Sequence, residues 1–257
     1  MIRTLLIITG ASVVLCAAAL GGAVALGGND LARNGWTWTF RDEDGDRVRV
    51  ERVKQDIGPE VTRTLPWTGG GMLHIDLPGE VTFVQGDAKT VTITGPEALA
   101  ERVHLLQGNR LTFNDGDDTE EILVHWGRRG FRAHQQNLKI TVTAPDVRIF
   151  NLSSSADLLV RDYDQNLLAL VMSGSGNARV QGQAEVARLN LSGSGDADLS
   201  SLDLRDAQID IDGSGDVDLA ATGDIEVEIS GSGDVNLHRR PRSLKQTLSG
   251  SGSVSQD

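Results

Sequence analysis

Six times between residues 152 and 254 the chain writes a variant of one phrase. The clearest copies are Leu191-Ser-Gly-Ser-Gly-Asp-Ala-Asp-Leu199, Ile211-Asp-Gly-Ser-Gly-Asp-Val-Asp-Leu219 and Ile229-Ser-Gly-Ser-Gly-Asp-Val-Asn-Leu237. Met172-Ser-Gly-Ser-Gly-Asn-Ala-Arg-Val180 precedes them, Leu248-Ser-Gly-Ser-Gly-Ser-Val254 follows, and a degenerate copy, Leu152-Ser-Ser-Ser-Ala-Asp-Leu-Leu-Val160, opens the series. The first Ser or Asp of each copy stands at 153, 173, 192, 212, 230 and 249, so the steps are 20, 19, 20, 18 and 19 residues. A near-constant period of this length marks stacked supersecondary units, each of which buries its apolar face only against its neighbours.

The content of one unit narrows the architecture further. Ahead of each Gly-Ser-Gly lies an alternating segment, such as Ile225-Glu-Val227-Glu-Ile229, and a shorter one follows, such as Val217-Asp-Leu219. Apolar residues at every second place put one strand face in a core and the other in water. About 19 residues are too few for a strand with a crossover helix, and no helix-period segment is present. The unit fits one coil of a β-solenoid, and parallel crossovers are overwhelmingly right-handed. The expectation is therefore an all-β, right-handed parallel β-helix with coils of about 19 residues, preceded by irregular short strands. The glycines are expected at corners, where the chain needs positive φ.

Charge and aromatic content support this reading. Aromatics make up only 4% of the 257 residues, so Val, Ile, Leu and Ala must build the core. The net charge is −12 and is concentrated: from Glu185 to Asn236 there are thirteen acidic residues against Arg188 and Arg205. Such a surface repels phosphate backbones and disfavours nucleic acid. Basic residues gather instead at Arg128-Arg129-Gly-Phe-Arg132 and Arg239-Arg240-Pro-Arg242, read as solvated loops or edge protection.

The N-terminus reads as an export device. Met1-Ile-Arg3 precedes a mostly apolar run from Leu5 to Leu26, and Ala23-Val24-Ala25 suits cleavage after Ala25. The run is also long enough to span a bilayer, so 1–28 is either a cleaved signal peptide or a retained anchor through 5–26. Cys16 is the only cysteine and lies inside this run, which leaves the remainder without disulfide or thiol chemistry. Both outcomes place the folded part outside the cytoplasm, in the periplasm, envelope or cell surface. Residues 29–63 are expected to form a hairpin turning at Asp44-Gly45, between Trp36-Thr-Trp38-Thr-Phe40 and Arg47-Val-Arg-Val-Glu-Arg-Val53. Short strands follow from 64 to 114, 96–107 holds the one short helix, and 114–136 reads as a long polar loop.

Two stretches carry a resemblance. One is Leu73-His-Ile-Asp-Leu-Pro-Gly-Glu-Val-Thr-Phe-Val-Gln-Gly-Asp87 with Val91-Thr-Ile-Thr-Gly95; the other is Leu138-Lys-Ile-Thr-Val-Thr-Ala-Pro-Asp146 with the serial repeats after it. Together they resemble the head GIN domain family, described as autotransporter adhesins of bacterial envelopes, over about 64–254. The domain expectation is accordingly 64–257, with regular repeats over 152–257. The resemblance implies a β-helix-like fold and an exported location, and it brings no catalytic residues. Ser153-Ser-Ser-Ala156 and Asp212 depart from the motif.

Reactive constellations are missing from the sequence. No copy reads Gly-x-Ser-x-Gly, no Gly-x-x-x-x-Gly-Lys occurs, and Gly193-Ser-Gly195 lacks the third glycine of a dinucleotide fingerprint. The histidines at 74, 104, 125, 134 and 238 show no ligand spacing. Asp42, Asp44 and Asp46 imitate the start of an EF-hand loop, but Arg47 and Val53 stand where Gly and Glu are required. Asp196, Asp216 and Asp234 would stack like charges roughly 5 Å apart. Bonds to backbone, partial protonation or bound cations could each relieve that ladder. The sequence thus assigns no catalytic, cofactor or metal residue.

What remains is a non-enzymatic exported envelope module for adhesion or ligand binding. The alternatives are a self-assembling scaffold, pairing through the C-terminal β-helix edge at 243–257, and an enzyme acting on acidic polysaccharide. Short coils leave little room for a catalytic cleft, which weighs against the last.

Overall fold

The computed structural model describes residues 59–113 and 138–256 throughout, and the backbone of strands Thr37–Arg41, Arg47–Arg52, Thr119–Gly127 and Gly130–Ala133. The apolar run with Cys16 and Ala25, the acidic residues 42–46, His134 and the Arg128-Arg129 pair lie outside the described residues. The chain divides into two compact units.

In the smaller unit, Thr37–Arg41 pairs antiparallel with Arg47–Arg52, the hairpin the alternation predicts. Arg47–Arg52 then pairs in parallel with Thr119–Gly127, which turns back antiparallel onto Gly130–Ala133. Within the 114–136 region, Thr119–Gly127 and Gly130–Ala133 therefore form an antiparallel pair, so the region is not a loop throughout. Its sequence conceals this because the strand finds its partner some seventy residues earlier, and long-range pairing leaves no local period.

The larger unit is a solenoid with a mixed leading end. Glu60–Pro66 straddles the boundary at 63/64 that the sequence suggests and pairs antiparallel with Thr90–Pro96. Thr90–Pro96 pairs antiparallel with Lys139–Ala144, which runs parallel to Gly79–Gln85. The expected short helix is one turn, Glu97–Ala100, and strand Val103–Leu106 takes up most of the remainder of 96–107. That strand returns antiparallel to Arg110–Phe113 through Gln107 and Gly108, at φ 50° and 78°. Two successive positive φ values make a twist-compatible hairpin turn, and Gln at the first place is too unusual for the sequence to announce it.

From residue 149 onward the pairing is parallel. Ala156–Met172, Ala178–Leu191 and Ala197–Ile211 stack in order, and the last then stacks on Val217–Ala221 and Asp224–Ile229. Val235–Leu237 with Ser243–Leu248, and finally Val254–Gln256, continue the stack. Register shifts after Val160, Arg179 and Leu199 bend the long strands into corners. The interior consists of straight columns. In one, Ile75, Leu152, Met172, Leu191, Ile211 and Ile229 are in register and buried. Alternate residues such as Asp210 and Glu228 face solvent, which is the strand phase that alternation dictates.

Aromatic rings pack together near the leading end. Phe83 meets Phe150 edge-on at 5.1 Å, and Phe150 contacts Tyr163 at 6.2 Å. The Tyr163 hydroxyl donates to the Leu167 carbonyl at 2.6 Å. Burial pushes that phenol well above its ordinary range, with Arg148 opposing weakly, so its role is structural.

Candidate functional site

The repeated motif forms one corner of every coil, and its chemistry is backbone chemistry. Asp157 Oδ1 accepts the Asn177 N–H at 3.2 Å, and Asn177 Oδ1 accepts the Asp196 N–H at 3.3 Å. Asp196 Oδ1 accepts the Asp216 N–H at 2.9 Å, Asp216 Oδ1 the Asp234 N–H at 2.8 Å, and Asp234 Oδ1 the Ser253 N–H at 2.8 Å. Each carboxylate thus satisfies a donor that the turn would otherwise leave unpaired. Of the three ways the sequence left open to relieve the acidic ladder, the geometry displays the bond to backbone. Among the described residues, no group of three or more His, Cys, Asp or Glu side chains is arranged to hold a metal ion.

The glycines answer to a different constraint than the one expected. Among the Ser-Gly-Ser-Gly motif glycines only Gly250, at φ +128°, adopts positive φ; Gly182, between two copies, is at +135°. The others are required because successive coils touch. A Cβ on Gly195 would lie 2.0 Å from the Gly176 carbonyl oxygen, and one on Gly215 would lie 2.1 Å from that of Gly195. The corner ladder is therefore a close-approach device, and a side chain there has nowhere to go. The degenerate copy fits this account: Ser154 and Ala156 stand in the opening coil, where Ala156 is in register with Gly79 of the irregular leading end.

On another corner, where the register shifts, residues from four successive coils line an open groove of about 380 Å³. Asp164, Gln183 and Asp203 line one rank and Asn166, Glu185 and Arg205 another. Gln183 Nε2 donates to Asp164 Oδ1 at 2.8 Å, and Arg239 Nη1 donates to Asp203 Oδ1 at 3.0 Å. Arg205 lies 3.8 Å from Glu185 and bonds Asp206 at 2.9 Å. Every carboxylate on this wall therefore has a partner. The groove was not legible in the sequence, because its ranks come from 19-residue spacing at a corner without a motif.

Outer faces show the same habit. Arg179 Nε donates to Asp198 Oδ2 at 2.8 Å, one coil apart. Burial opposes ionisation of Asp198, but bonds from the Ser200 hydroxyl and N–H and from Arg179 outweigh it and hold the carboxyl below its usual range. The Asp224 N–H, then Arg205, lower Asp206 in the same way. Two arginines of the basic cluster are paired as well: Arg239 with Asp203, and Arg242 in a two-pronged pair with Asp224. His238 lies 3.0 Å from Asp218.

Comparison with known proteins gives a consistent result. The family model described as "Putative auto-transporter adhesin, head GIN domain" matches residues 72–241. A crystal structure named as a putative adhesin from Bacteroides fragilis superposes with a TM-score of 0.60 at 16% identity, covering 80% of this chain and 99% of that one. A crystal structure from Parabacteroides distasonis, named as a putative lipid binding protein, gives 0.50 at 15% identity over 80% and 99%. At such identities the likeness is one of fold. No curated protein matches the chain.

Proposed function

As the chain belongs to the head GIN domain family of auto-transporter adhesins, we propose that it is a non-enzymatic, exported cell-envelope protein whose solenoid serves adhesion or ligand binding. The observation that carries this reading is the open groove lined by mostly polar residues from four successive coils. Amides and paired charges at fixed spacing suit recognition of an extended, hydroxyl-rich or polar ligand. Glycoside cleavage needs two carboxylates facing each other across a substrate, one free to protonate it. Asp164, Glu185 and Asp203 are each engaged with a neighbour, which favours binding over chemistry.

Export rests on the apolar run 5–26 and on the family. No helix among the described residues is long and apolar enough to cross a membrane. Cell fractionation with mass spectrometry of the mature N-terminus tests this part. A chain beginning after Ala25, or an intact chain in the membrane fraction, is expected; an intact chain in the cytosol would contradict it. Binding is tested on glycan and matrix-protein arrays with the parent and Asn166→Trp, which fills the groove. Capture of the parent and loss in the variant is the expected result, and equal capture of both would remove the groove from the reading.

A further inference from the structure

We propose that the last coil, residues 243–256, is the pairing edge of a two-fold, end-to-end dimer of this chain. Strand Ser243–Leu248 pairs with Asp224–Ile229, and no strand among the described residues pairs with its other edge. Such an edge is a template for another strand.

The side chains make this edge unlike the coils below it. Ile225, Val227 and Ile229 are 2%, 1% and 0% exposed, whereas Leu244 and Leu248, directly above in the same columns, are 37% and 45% exposed. These leucines are two of the three exposed large hydrophobics among the described residues. Charge changes at the same place. Outward positions in the two preceding coils include Asp210, Glu226 and Glu228, but from Ser243 to Gln256 the only charged residue is Lys245. The ladder acid is likewise replaced by Ser253, which closes the stack by donating its N–H and hydroxyl to Asp234 Oδ1. A second copy with net charge −12 is repelled by the acidic faces and meets little repulsion here.

The occupant is a second copy because the strand is complementary to itself. Turned antiparallel about Gln246, Leu244 lies opposite Leu248, Lys245 opposite Thr247, and Gln246 opposite its own symmetry mate. No like charges meet, the apolar columns continue across the axis, and two glutamine amides can each donate and accept. Gln246 stands in a column otherwise formed by Leu170, Leu189, Ile209 and Val227. One polar residue in an apolar seam fixes register and closes the assembly at two. Leu244 and Leu248 drive the association.

The experiment uses the full chain in density-matched mild detergent, which keeps the 5–26 segment solvated, with Cys16→Ser as background. Sedimentation equilibrium is expected to give two chains per particle. Leu244→Glu with Leu248→Glu should weaken association by about tenfold or more, a change of roughly 1.4 kcal/mol. Circular dichroism should show the same strand content. Gln246→Cys should oxidise to a disulfide dimer on non-reducing gels, and the outward Asp210→Cys should not. One chain per particle, an open series of larger assemblies, a mass indifferent to the double substitution, or equal cross-linking at 210 and 246 would each overturn the proposal.

Discussion

The two ends of the solenoid solve one problem in opposite ways. At the leading end, antiparallel pairs such as Glu60–Pro66 with Thr90–Pro96, one helical turn and the Phe83, Phe150 and Tyr163 cluster close the first coils with non-repeating structure. At the trailing end of the described residues, Leu244 and Leu248 stand exposed one coil beyond the buried Ile225 and Ile229. A coil in this fold does not own its core. The next coil supplies half of it, so equivalent residues have unequal energies according to their height in the stack.

The largest contrast should come from one column. Ile211→Asp puts an unpaired charge between Leu191 and Ile229 and is expected to cost more than about 4 kcal/mol, unfolding adjacent coils. Leu248→Asp, one coil beyond Ile229, is expected to cost under about 1 kcal/mol in the dilute chain. Denaturant titration of both reads the difference, and equal losses would break the column account.

Next come the corners. Gly195→Val and Gly215→Val force a side chain into a carbonyl 2.0–2.1 Å from the new Cβ and should cost about 3 kcal/mol or more. In the opening copy, Ser154 already carries a side chain whose buried hydroxyl has no hydrogen-bond partner among the described residues. Ser154→Ala should therefore be neutral or stabilise by up to about 1 kcal/mol. Thermal melts that show equal effects at 154 and 195 would erase the distinction between leading and inner coils.

The acidic ladder should respond to shape more than to charge. Asp216→Ala leaves the Asp234 N–H without its acceptor and should cost about 1 kcal/mol. Asp216→Asn keeps an acceptor, as Asn177 does naturally for Asp196, and should be nearly neutral at pH 7. A large loss in the Asn variant would mean that the charge itself is required.

The smallest effect concerns pH. Asp198 and Asp206 have folded-state pKa values below their ordinary range, so their contribution is complete above about 4, the unfolded value. It is lost as pH falls from there through the lower folded values. Asp198→Asn with Asp206→Asn should flatten the fall in melting temperature between pH 5 and pH 3. An unchanged slope would place the acid sensitivity in other carboxylates.

Period and alternation were enough to state the solenoid and the phase of its strands, because each depends only on residues within one coil and the coil beside it. Leu191, Ile211 and Ile229 fall in one buried column for that reason. The same alternation put Asp210 and Glu228 in solvent. The motif also pointed to the corner but misassigned its cause: Gly195 is small to clear Gly176, a contact between residues 19 apart that no local backbone preference reveals. The strands at 119–127 and 130–133 and the turn at Gln107-Gly108 went unread, since distant pairing and an atypical turn residue leave no periodic trace.

The sequence by itself determined that this chain stacks coils, because spacing and patterning are local properties that a one-dimensional string records in full. Only the tertiary structure decided what each carboxylate bonds, where two ranks of polar side chains open into a groove, and which described coil keeps its leucines exposed. Those outcomes depend on distances between coils, set by backbone contact across the stack and not by the order of residues along it.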